Sequence, residues 1–232
     1  MRLLLLSNST MPGEPYLAWP RALIGDFLGG ARRAAFVPYA GVRISCDDYT
    51  ARVREALGAT GLEITGVHTA ADPVRLVAES DAVLVGGGNT FRLLERLQAV
   101  GLLDAVRDRA TAGAPYVGWS AGSNIACPTI RTTNDMPIIQ PPRGFGALGL
   151  VSFQINAHYT DAALPNHGGE TRPERIAELL ELDRAATVVG LREGTGLRVE
   201  DGRVTLVGER PATVFRWGAE PREAAPGALT LP

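Results

Sequence analysis

Short apolar runs recur along the chain, each ending in turn residues and most leading into a segment with apolar residues at helical spacing. The runs are "LLLLSNST", "AAFVPYAG", "LEITGVH", "AVLVGGGN", "PYVGWSAG" and "ATVVGLREG". Their near-continuous apolar character predicts strands buried on both faces. In "SCDDYTARVREALG", Tyr49, Val53, Ala56 and Leu57 fall on one helical face, and Ser45 and Asp48 have capping-box spacing. "NTFRLLERLQAVG" repeats the arrangement with Asn89 as cap and Gly101 as stop, and "ETRPERIAELLEL" places Thr171 and Glu174 at capping-box spacing. Strands alternating with helices predict an α/β fold, a mostly parallel sheet flanked by helices on both faces. The C-terminal stretch "GLRVEDGRVTLVGERPATVFRWG" changes character. It reads as an antiparallel strand meander that extends the sheet edge, with Asp201-Gly202 as a tight hairpin. No linker, repeat or low-complexity stretch divides the chain before a Pro/Ala/Gly-rich tail, so residues 1–232 are read as one domain.

Sites in open α/β sheets gather at the carboxyl ends of strands. That rule picks out four loops before any chemistry is considered: "SNST", "PYAG", "GGGNT" and "GWSAGSN".

Composition narrows the function classes. With 23 basic and 25 acidic side chains the net charge is −2, so there is no global basic field to hold nucleic acid. Two cysteines, Cys46 and Cys127, are too few for a disulfide framework or a thiolate metal site. The opening apolar run stops after four leucines, short of the ~7–15 residues of a secretory core. No apolar stretch approaches the ~20 residues of a membrane span. A soluble, cytoplasmic protein with no membrane partner is the expectation.

The chemistry centres on "GWSAGSN", which sets Ser120 between Gly118 and Gly122 just after an apolar run. A G-x-S-x-G turn between strand and helix lifts a serine hydroxyl above the sheet edge, where it can act as a nucleophile. The alternative is a serine that merely caps the following helix. A nucleophilic serine needs a base, and the chain has His68, His158 and His167. His158, just past the apolar stretch in "FQINAHYTD", ranks first. His167, in the polar loop "PNHGGET", ranks second, and His68, at a strand end, third. Two carboxylates compete to orient the imidazole. Asp135 gives the chain order Ser, Asp, His found in many hydrolases; Glu193 follows a buried strand in a turn aimed at the same edge. The "VGGGNT" loop lacks G-x-G-x-x-G and a Walker lysine. It either supplies a backbone N–H to an oxyanion hole, with the N–H of Ala121 as the second donor, or serves only close packing. No metal-ligand spacing is present, and no cofactor is expected.

Together "LLLLSNST", "FVPYAGV", "DDYTARV", "VGGGNTFRLL", "GWSAGSNIACPTIRTTNDMPI", "INAHYTDAALP" and "GETRPERIAELL" resemble the peptidase E family, the α-aspartyl dipeptidases. The resemblance runs from the first strand to about Glu220. It implies a class I glutamine amidotransferase-like fold and a serine hydrolase that cleaves dipeptides beginning with aspartate, usually as a homodimer. Ser120 is then the nucleophile, His158 the base, Asp135 or Glu193 the third member, and Gly88 and Ala121 the oxyanion hole. The family often has proline where this chain has Arg192. Recognition of a substrate carboxylate suits an arginine fork. Arg131, eleven residues from Ser120, is the first candidate and Arg172 the second, with Asn89 and Thr90 lining the same pocket. Two rivals stand beside this reading: a related amidohydrolase or esterase of other acyl specificity, and a non-catalytic ligand-binding α/β protein.

Overall fold

In the computed structural model, residues 1–162 and 168–231 are described. Five parallel strands form the heart of the larger sheet: β1 (Arg2–Leu6), β2 (Arg33–Val37), β3 (Glu63–Gly66), β4 (Ala82–Val85) and β5 (Tyr116–Trp119). Their order is β1-β5-β4-β2-β3, all parallel. The leucine run explains itself here. Leu3 and Leu5 pack into the core on one face of the sheet, Leu4 and Leu6 into the core on the other, because successive side chains point to opposite faces. The same alternation sends Ala35, Val37, Val83 and Val85 one way and Ala34, Phe36, Ala82 and Leu84 the other.

Helices cover both faces. Apolar residues of α1 (Arg21–Leu28) and α2 (Cys46–Leu57) pack with Leu4 and Leu6. Those of α3 (Pro73–Glu79), α4 (Thr90–Ala99) and α5 (Leu102–Thr111) pack with Leu3 and Leu5, as does the short α6 (Ala121–Asn124). The caps sit at the positions read from sequence. Ser45 accepts from the N–H of Asp48 at the start of α2, and Asn89 from that of Arg92 at the start of α4. Gly101 stands after α4 with φ +70°, two residues past its end, and opens α5.

The C-terminal half differs from expectation in its sheet pairing. Strands β6 (Gln154–Asn156) and β7 (Thr187–Gly190) pair in parallel, but with each other and not with β1–β5. Between them, α7 (Arg172–Leu182) starts with the full Thr171/Glu174 capping box. Only part of the meander extends the main sheet: β8 (Thr195–Glu200) runs antiparallel to β1 and pairs with β9 (Arg203–Gly208) through Asp201-Gly202. Both turn residues have positive φ, 50° and 75°, as a tight two-residue hairpin requires. Then β10 (Ala212–Arg216) crosses to β7, β11 (Arg222–Ala224) pairs with β10, and β12 (Gly227–Leu229) returns to β9. The result is an eight-stranded sheet, β12-β9-β8-β1-β5-β4-β2-β3, beside a four-stranded one, β11-β10-β7-β6. Among the described residues no helix is long and apolar enough to cross a membrane.

Candidate active site

Ser120 lies in the turn from β5 into α6 with φ 53° and ψ −113°, a backbone conformation that L-residues rarely hold. The turn is held in place from several sides. The Ser120 N–H donates to Leu6 O at 3.0 Å, and its carbonyl accepts from the N–H groups of Ser123 and Asn124. A Cβ on Gly122 would come within 2.1 Å of Val85 O, so glycine is required for α6 to approach β4. Although Ser120 occupies the cap position of α6, its side chain makes no capping bond. Its Oγ lies 2.9 Å from His158 Nε2 instead.

His158 follows β6 and also has positive φ, 54°. Its Nδ1 lies 2.7 Å from Glu193 Oε1. An ionised carboxylate only accepts, so the hydrogen-bond pattern assigns the proton to Nδ1 and leaves Nε2 to accept from the serine hydroxyl. Glu193 follows β7, the parallel neighbour of β6, so histidine and carboxylate come from adjacent strand ends of the second sheet. Ser7 ties these ends to the first sheet. Fully buried, its Oγ donates to Leu191 O at 2.7 Å and accepts from the His158 N–H at 3.0 Å. Asn8 adds a second tie by accepting from the Gly194 N–H at 2.8 Å. No sequence motif singles out either residue, although both lie in a loop that the strand-end rule marks.

Asp135 is not placed against the histidine. Its Oδ2 accepts from the Thr90 N–H, the Thr90 hydroxyl and the Thr133 hydroxyl at 2.7, 2.6 and 2.9 Å. The free N–H groups and positive end of α4 draw the carboxylate there. Chain order alone could not reveal that competitor. Thr90 is correspondingly buried and committed to Asp135, so it does not line the cavity as expected. Asn89 does line it, while capping α4 and donating to Met136 O.

The arginine expectations also change. Arg131 faces Asp183 at 3.6 Å and is absent from the cavity wall, because the chain after α6 runs away from Ser120 into the Thr129–Gly146 bridge. Arg172 lies at the start of α7 and donates to Asn134 Oδ1. Asn134 in turn donates to Ala157 O, the carbonyl beside His158. Burial, then the like charge of Arg175, pushes the Arg172 guanidinium below its ordinary pKa. Arg192 turns away from the site to Asp161, Glu223 and Pro211 O, leaving Glu193 free to face His158. His68 pairs with Asp47 at 2.9 Å and does not border this cavity; His167 lies outside the described residues.

Ser120 and His158 border a cavity of about 730 Å³ that also includes Ser9, Ala40, Gly41, Gly87, Gly88 and Asn89. All four loops marked by the strand-end rule thus meet there. Gly88 has φ +136°, and a Cβ on it would lie 2.3 Å from Ala40 O. Among the described residues, the N–H groups of Gly88 and Ala121 have no hydrogen-bond partner. Cys127 is buried behind α6, which raises its thiol to about 12, and burial also raises Cys46. Among the described residues no group of three or more His, Cys, Asp or Glu side chains is placed to hold a metal ion.

A strained serine, a histidine and a carboxylate in hydrogen-bonded sequence, at the carboxyl ends of strands from the two sheets, are the parts of a serine-type hydrolytic site. The model of peptidase family S51 matches residues 3–207, and the chain belongs to that family. Proteins named peptidase E from Shigella sonnei (strain Ss046) and Citrobacter koseri are each 50% identical to it over 220 residues, covering 95% of this chain and 96% of theirs. A peptidase from an acI-B1 Actinobacterium shares the fold at a TM-score of 0.73 with 16% identity, covering 99% of this chain and 96% of that one.

Proposed function

We propose that this serine-type peptidase hydrolyses dipeptides with N-terminal aspartate through an acyl-enzyme on Ser120. The observation that carries the chemistry is the Ser120–His158–Glu193 sequence of contacts at 2.9 and 2.7 Å on the cavity wall. In this reading His158 Nε2 takes the hydroxyl proton as Ser120 Oγ attacks the aspartyl carbonyl, and Glu193 stabilises the imidazolium. The N–H groups of Gly88 and Ala121 receive the oxyanion. Collapse of the tetrahedral intermediate breaks the C–N bond, His158 returns the proton to the leaving amine, and water then repeats the sequence to release aspartate.

The substrate's charges support the aspartyl reading. Asp135 borders the cavity, and its Oδ1 has no partner among the described residues, which suits an α-ammonium. Arg172 does not border the cavity, but its charge suits the β-carboxylate: its only side-chain partner among the described residues is the neutral Asn134, which donates to Ala157 O beside His158. A cytoplasmic homodimer belongs to the same reading through the family resemblance. The test is kcat/KM for the wild type on Asp-Leu, Ala-Leu and N-acetyl-Asp-Leu. Cleavage of Asp-Leu at least 100-fold faster than both others is expected. Equal cleavage of Ala-Leu would transfer the protein to the broader amidohydrolase reading.

A further inference from the structure

The cavity has a second charged pole that the chemistry above does not use. Arg43, in the loop after β2, and Arg52, on α2, both border it. Among the described residues neither makes an ion pair or a side-chain hydrogen bond, whereas Arg2, Arg75 and Arg198 each face a carboxylate. Arg52 is nevertheless positioned: its guanidinium stacks over the Tyr16 ring at 4.2 Å. Tyr16 in turn donates to the Tyr49 hydroxyl at 3.3 Å, and Tyr49 donates to Gly87 O at 2.9 Å and accepts from Trp119 Nε1 at 3.2 Å. The stack and these hydrogen bonds together link the arginine to Gly87 and Trp119, the residues just before Gly88 and Ser120.

The two poles lie on opposite faces of the main sheet. Tyr49 and Tyr16 pack with Leu4, Leu6 and Phe36, whereas Ala157, the residue before His158, packs with Leu3 and Leu5. Asp135 sits at the end of α4 on that second face. An Asp-Xaa dipeptide carries one ammonium and two carboxylates at neutral pH. With the ammonium at Asp135, the acyl residue occupies the acidic end of the cavity. The carboxylate of the leaving residue is then the charge farthest along the chain from that ammonium.

Resting on the dipeptidase reading, we infer that Arg43 and Arg52 form the subsite for the free carboxylate of the leaving residue. They are specificity-determining residues that require the substrate to end one residue after the scissile bond. A longer peptide would bring an uncharged amide to the two guanidinium groups and forfeit their charge-assisted hydrogen bonds.

The experiment compares wild type, Arg43→Gln, Arg52→Gln and Arg52→Lys on Asp-Leu, Asp-Leu amide and Asp-p-nitroanilide. Each glutamine variant is expected to lose roughly 10-fold in kcat/KM on Asp-Leu, through KM and not kcat, since the contact is made equally in ground and transition states. Asp-Leu amide and Asp-p-nitroanilide, which lack that carboxylate, are expected to change less than about twofold, and Arg52→Lys is expected to recover part of the loss. Equal losses on all three substrates would assign the arginines to the acyl residue or to folding, and no loss on any would leave them as solvated surface; either overturns the inference. Should wild type cleave Ala-Leu and not Asp-Leu, the aspartyl reading falls. The arginine subsite is then judged by the same ratio on Ala-Leu and its amide.

Discussion

The proposed nucleophile, Ser120, and its proposed base, His158, come from two different sheets. Ser120 ends a strand buried in the middle of the eight-stranded sheet, and its backbone is fixed by Leu6, Gly122 and Val85. His158 and Glu193 end two short parallel strands of the four-stranded sheet. Their side chains remain about two-fifths exposed. The first region holds a strained conformation by close backbone packing; the second positions side chains by a few hydrogen bonds across a seam. Changes to the seam should therefore alter catalysis with modest effects on the fold, whereas changes to the elbow should damage both.

The largest difference is expected between the two acidic candidates. Glu193→Gln keeps the size of the side chain but removes the charge that favours the required tautomer and the imidazolium, so kcat on Asp-Leu should fall by about 10⁴. Asp135→Asn should leave kcat within roughly 10-fold and act mainly on KM and on the stability of α4, since its carboxylate faces Thr90 and Thr133 and not His158. Steady-state kinetics with paired thermal melts check both. Loss of kcat in Asp135→Asn alone would return that residue to the triad.

A smaller effect is expected at the seam. Ser7→Ala removes one hydroxyl that serves the His158 N–H and the Leu191 carbonyl together. Two buried groups lose their partner, at about 1–3 kcal/mol of stability. The accompanying shift of His158 should reduce kcat up to ~10²-fold with little change in KM. Unfolding midpoints in urea and kcat measured on the same preparations decide it. A destabilised enzyme with unchanged kcat would mean that Ser7 serves the fold only.

The two regions were unequally legible in the sequence. Strands β1–β5 announced themselves because burial on both faces leaves nearly unbroken apolar runs, and helix starts carried caps at Ser45, Asn89 and Thr171. Strand β7 carries the same apolar signature, which says that a strand is buried but not which sheet holds it. The strand-end rule found all four loops around the cavity, and the elbow pattern found Ser120. Asp135 and Glu193 could not be separated because the competitor for Asp135, the amino end of α4, is near it only in three dimensions. Arg131 attracted notice by its short separation from Ser120, but the intervening chain leaves the site. Arg43 and Arg52 gave no pattern at all, since an exposed arginine in a loop or on a helix reads as a solvated surface. Only their shared border on the cavity distinguishes them.

The most direct test of the central claim is kcat/KM on Asp-Leu for wild type, Ser120→Ala, His158→Ala and the double variant. Under the proposed mechanism nucleophile and base act as one unit, so each single substitution should cost about 10⁶ in kcat, and the double variant should be no worse than either. Activity in Ser120→Ala within 10-fold of wild type would contradict the account and leave Ser120 as a strained turn residue with no part in the chemistry.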